Sequence, residues 1–206
     1  MSTSKKYNEA LSNFEFVIGK SKNLYTEQAL LGAARITFSQ KEYSRAIGYY
    51  KKLATLTETR NNLIEAKTGI MRSYYLLNDY DNTINSAKEL LNTDKLSDVI
   101  AREARFKMAK SLYAKERNAL ALEEFQTLAT EVSSPEGAES KYLTAEILFK
   151  QGEYQKAEEV IGDFRRKNNA TPVLDGQRFY SLVGYFCCSG RQFSGIANFT
   201  KHNRLL

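Results

Sequence analysis

The sequence predicts an all-α protein, a solenoid of antiparallel helix pairs, on three observations. A tyrosine, an alanine three residues on and an aromatic four further recur, with substitutions, as Tyr7/Ala10/Phe14, Tyr43/Ala46/Tyr50, Tyr80/Thr83/Ala87, Asn118/Ala121/Phe125 and Tyr154/Ala157/Ile161. The intervals are 36, 37, 38 and 36 residues, and self-similarity at such a period marks stacked supersecondary units that cannot bury their apolar faces alone. Between these rungs apolar residues recur at helical spacing, and only two prolines interrupt 206 residues.

Each element follows in order. Residues 1–22 carry the first rung and read as the second helix of a pair whose first helix would precede Met1; the chain is expected to begin inside a repeat, as part of a longer array or with that face covered by a partner. Glu27 to Ser39 places Leu30, Leu31, Ala33, Ala34 and Ile36 at helical spacing, and QKEY breaks into a second helix carrying Ala46, Tyr49, Tyr50, Leu53 and Leu56. The pair recurs as Ile64–Leu76 with Tyr80–Leu91, Arg102–Ala114 with Ala119–Ala129, and Ala138–Lys150 with Tyr154–Phe164. Repeats are therefore expected at about 24–60, 61–97, 98–134 and 135–171. Small residues, Ala34, Ala109 and Ala145 in first helices and Ala46, Ala121 and Ala157 in second helices, stand where the two must approach, because interaxial distance follows contact-residue size.

These residues resemble the tetratricopeptide repeat, which places a small residue at position 8, an aromatic at 11, then glycine, tyrosine, alanine and an aromatic at 15, 17, 20 and 24. Gly152, Tyr154 and Ala157 in QGEYQKA match closely. Other copies depart: Lys41, Asn78 and Glu116 stand at the glycine position, Met71 at the small residue and Thr83 at the alanine. The period exceeds the family's 34, which implies longer helices or loops and resembles divergent repeats of bacterial cell-envelope proteins. The resemblance covers residues 1–172 and implies a right-handed superhelix.

Composition narrows the function. Thirty basic against 24 acidic residues give a charge of +6, with no run forming a basic arm, so nucleic acid is not indicated. The N-terminus lacks the apolar stretch of an export signal, and no window approaches the ~20 apolar residues of a membrane span. The chain as written reads as cytoplasmic, and as periplasmic or cell-envelope if cut from a longer exported parent. Cys187 and Cys188 are adjacent and offer no disulfide framework. His202 has no nearby triad or metal partners, and no phosphate loop or metal motif occurs. No enzyme activity, cofactor, metal or small-molecule substrate is expected.

After Thr171-Pro172 the composition changes. Asp175 is the one acidic residue among Val173 to Leu206, against 23 in the preceding 172 positions, and Gly176, Gly184, Gly190 and Gly195 fall there. Codons can be chosen so that this stretch, read one base later, encodes another repeat in phase with QGEYQKA. The segment 173–206 is expected to be a frame-shifted remnant of a fifth repeat.

In the resembled family positions 2, 5, 9 and 12 of first helices look into a concave groove. Position 12 carries Phe38, Tyr75, Tyr113 and Phe149; position 9 carries Arg35, Arg72, Lys110 and Glu146; position 2 carries Gln28, Glu65, Glu103 and Glu139. The resemblance thus implies an aromatic stripe flanked by a basic and an acidic row, suited to a peptide or protein of mixed charge. The same aromatics can instead pack on the neighbouring repeat, and the charges can pair at a solvated face for ~0.2–0.5 kcal/mol each. Leu31 and Gly69 occupy positions where some relatives clamp a C-terminal carboxylate, which disfavours that ligand. The expected function is a non-enzymatic scaffold binding a protein partner through the groove. The alternatives are a fragment with no partner of its own and a single-strand nucleic-acid binder using Arg35, Arg72 and Lys110.

Overall fold

The structure, a computed structural model, describes residues 3–167. The expected tail at 173–206 lies outside them. Nine helices occur among the described residues: α1 (Thr3–Ile18), α2 (Thr26–Ser39), α3 (Tyr43–Leu56), α4 (Arg60–Leu76), α5 (Tyr80–Leu91), α6 (Asp98–Ala114), α7 (Asn118–Leu128), α8 (Pro135–Lys150) and α9 (Tyr154–Lys167). No strand is found among these residues. The rung residues Tyr43, Tyr80, Asn118 and Tyr154 each open a helix.

The described residues fall into two compact units, divided between Arg117 and Asn118. In the first, every helix packs on the next from α1 to α6, and α4 also touches α2 and α6. In the second, α7 packs on α8 and α8 on α9. Successive contacts with few others are what a chain of helix pairs requires.

The small rung positions are the closest-packed points. Ala34, Ala46 and Ala109 in the first unit and Ala121, Ala145 and Ala157 in the second are each 0% exposed. The two departures are buried as completely: Met71 is an apolar substitute, and Thr83 turns its hydroxyl back to donate to the Asp79 carbonyl at 2.8 Å. Around them Leu30, Leu53, Met71 and Leu90 fill the first unit, and Phe125 and Ile147 the second. Full burial of such side chains stabilises by about 1.5–3 kcal/mol each.

First helices start earlier than the periodicity indicates. α4, α6 and α8 begin at Arg60, Asp98 and Pro135, not at Ile64, Arg102 and Ala138. Start signals explain two of these. Ser97 accepts from the Ile100 amide at 3.5 Å, Ser134 accepts from Gly137 at 3.0 Å, and Pro135 occupies the first helical turn, where its missing N–H costs nothing.

The turn inside each pair has one geometry. Lys41, Asn78, Glu116 and Gly152 have φ of 64°, 58°, 58° and 82°. Their amides donate to the carbonyls of Phe38, Tyr75, Tyr113 and Phe149 at 2.9–3.1 Å, and the following amides of Glu42, Asp79, Arg117 and Glu153 reach Thr37, Tyr74, Leu112 and Leu148 at 2.9–3.0 Å. This is the Schellman arrangement, which normally uses glycine at the left-handed residue. Lys41→Gly and Glu116→Gly are each expected to stabilise the first unit by about 0.5–1 kcal/mol, the relief of a left-handed side chain exceeding the added freedom of the unfolded chain. Asn78→Gly should gain less, since asparagine tolerates this conformation. Urea midpoints compared with the parent check the order.

Candidate functional site

In the first unit, α2, α4 and the start of α6 border a concavity of about 630 Å³. Four residues expected in a groove, Arg35, Phe38, Glu65 and Arg72, line it, together with Tyr50, Ile64, Thr68 and Gly69, and with Asn61, Lys95, Ser97 and Ile100. α2 supplies Arg35 and Phe38 one turn apart, and α4 supplies Glu65, Thr68, Gly69 and Arg72 along one helical face.

The charges within it do not form separate rows. Arg35 donates from Nε and Nη2 to the two Glu65 oxygens at 2.6 and 2.8 Å, and Arg72 does the same to Glu103 at 2.7 and 2.5 Å. Position 9 of one first helix thus holds position 2 of the next, a regularity that the period makes and that pairwise reading along one helix missed. Both pairs are bidentate, the geometry that best orients arginine and carboxylate. The Arg35 side chain is 59% exposed, so solvent screening leaves its pair worth under about 1 kcal/mol. Glu103 is more enclosed. Burial pushes its carboxyl up, but the Arg72 hydrogen bond and charge, with Lys107 at 3.7 Å, outweigh that and hold it below the usual range.

The aromatic stripe is engaged as well. Phe38 meets Tyr43 edge-on with ring centroids 5.4 Å apart, and in the second unit Phe149 meets Tyr154 likewise at 5.2 Å. The Lys107 ammonium sits 4.4 Å from the Tyr75 ring centroid, and that of Lys110 lies 5.4 Å from Phe106. Burial, then the charges of Arg72 and Lys110, push the Lys107 amine down against the pull of Glu103. Tyr113 is half-buried on α6. Of the nine expected residues, four share the concavity, Glu103 is tied to it through Arg72, and Tyr75, Tyr113, Lys110 and Phe149 are placed elsewhere.

Tyr50 and Gly69 are two of the eight lining residues that were not among those expected there. Tyr50 is a rung aromatic on a second helix, yet it lines the groove because it crosses α4 at Gly69. A Cβ on Gly69 would fall 2.4 Å from Cε2 and Cζ of Tyr50. The same device joins Phe14 to Gly32, at 2.5 Å. The available signal was a glycine inside an otherwise helical pattern, which usually has a packing reason.

Among the described residues no three or more His, Cys, Asp or Glu gather as metal ligands, and no helix is long and apolar enough to cross a membrane. Residues 106–163 match the tetratricopeptide repeat family model. No curated protein matches the sequence. Among solved structures the chain is similar to MamA MSR-1, with a TM-score of 0.58 and 14% identity over 81% of this chain and 91% of that one. MamA AMB-1 gives a TM-score of 0.58 and 12% identity over 81% and 93%. At these identities the likeness is one of fold. The matched residues 106–163 and the likeness of fold, with the paired and phased helices, support a tetratricopeptide-repeat reading of the chain.

Proposed function

We propose that the protein is a non-enzymatic scaffold that binds a peptide segment of a protein partner in the concavity of its first unit. The fold supports the general class, since repeat arrays of this kind serve as interaction surfaces. The carrying observation is the concavity itself, where two aromatic rings, aliphatic side chains and two arginines converge. Rings and arginines anchor interfaces because they bury large area at modest entropy cost.

A random peptide library panned against the purified protein would supply a ligand. The double variant Phe38→Ala/Arg35→Ala is expected to weaken it at least tenfold, about 1.4 kcal/mol, whereas Lys52→Ala on exposed α3 surface should not change it. Circular dichroism checks that both fold. Unchanged affinity in the double variant would place the binding surface elsewhere.

A further inference from the structure

Resting on that reading, we infer that the Tyr50 hydroxyl and the arginines beside it form a subsite for the carboxylate side chain of an acidic residue in the bound peptide. The groove holds more donors than acceptors. Arg35 and Arg72 each spend Nε and Nη2 on a glutamate, and no acceptor engages either Nη1 among the described residues. The carboxylate on the lining, Glu65, has both oxygens taken by Arg35. Three cations, Arg35, Arg72 and Lys95, line the wall, and with Glu65 on Arg35 and Glu103 on Arg72 one positive charge stays uncompensated. This imbalance complements an anion, and guanidinium groups suit a planar carboxylate.

Tyr50 makes the place specific. Its side chain is largely buried, and the hydroxyl has no hydrogen-bond partner among the described residues. Burial, then the Glu65 charge, push the phenol up against Arg35 and Arg72, so at neutral pH it carries a proton to donate. Only the absence of a side chain at Gly69 lets the hydroxyl end of the ring cross α4. A carboxylate received there would gain a phenol donor on the floor and guanidinium donors at the sides. A neutral amide of the same shape would bring a donor group to a wall already rich in donors.

The test uses two fluorescein-labelled Gly-Ser peptides with two aromatic residues flanking a central Glu or a central Gln, titrated by anisotropy at 0.15 M salt. The Glu peptide is expected to bind about tenfold more tightly. Tyr50→Phe, which keeps the ring over Gly69, should cut that ratio severalfold while leaving the Gln peptide's affinity unchanged, and Arg72→Gln should cut it independently. Equal binding of the two peptides, or a ratio that survives Tyr50→Phe and Arg72→Gln, overturns the subsite and leaves the groove reading standing. Failure of both peptides to bind counts against both.

Discussion

Gly69→Ala is expected to destabilise the protein by about 2 kcal/mol, the reverse of the usual sign for this change inside a helix. Alanine ordinarily gains about 1 kcal/mol over glycine there. Here the new methyl would lie 2.4 Å from Cε2 and Cζ of Tyr50, a distance that forces the ring to move. The ring has little room, because Tyr50 is packed with Leu30, Ala34, Ala46, Leu53 and Ala66 and is 5% exposed. Swinging it outward would uncover that cluster. Overpacking of about 1–3 kcal/mol or more therefore exceeds the propensity gain. Gly48 on α3 is the control, since nothing lies within 4 Å of its added Cβ; Gly48→Ala should stabilise by about 0.5–1 kcal/mol. Urea denaturation of the two variants decides the matter: a gain in both would mean that the ring yields without loss. Gly32→Ala, set 2.5 Å from Phe14, is expected to share the sign of Gly69→Ala.

That pairing also shows what the sequence made legible. The rungs were readable because they recur every 36 to 38 residues, and the expected starts at Tyr80 and Tyr154 match the structure while Ala119 falls one residue inside α7. The glycine position was readable too, since Lys41, Asn78 and Glu116 adopt the left-handed turn that Gly152 adopts. Interhelical geometry was not. Arg35 with Glu65 and Arg72 with Glu103 are separated by 30 and 31 residues, and an i,i+4 reading of one helix has no term for such partners. Tyr50 looked like a ladder residue because period assigns a side chain to a face but not the length to which it reaches across that face. What directs it to the groove is a second residue, Gly69, a rung later. At the next corresponding positions the aromatic and the glycine are replaced together, by Ala87 and Lys107.

A larger loss is expected from Gly137→Ala, about 3 kcal/mol, because the obstacle is backbone. The added Cβ would fall 2.1 Å from the Glu131 carbonyl oxygen, 2.7 Å from its carbon and 2.9 Å from the Leu128 oxygen. A side chain can rotate away from a methyl group, but this carbonyl is held: Ser134 donates to it from its amide at 3.0 Å and from its hydroxyl at 2.9 Å. The same hydroxyl accepts from the Gly137 amide at 3.0 Å, capping α8. Moving the carbonyl would therefore break the turn after α7 and the cap of α8 at once, and loss of such a cap alone costs about 1 kcal/mol. Overpacking adds about 1–3 kcal/mol to this. Gly162 on α9, in the same unit and with nothing within 4 Å of its added Cβ, provides the opposite case: Gly162→Ala should stabilise by about 0.5–1 kcal/mol. Ser134→Ala isolates the cap. If Gly137→Ala loses no more than Ser134→Ala in urea denaturation, the turn can open at the cost of the cap alone, and the close approach of Glu131 is not what requires glycine at 137.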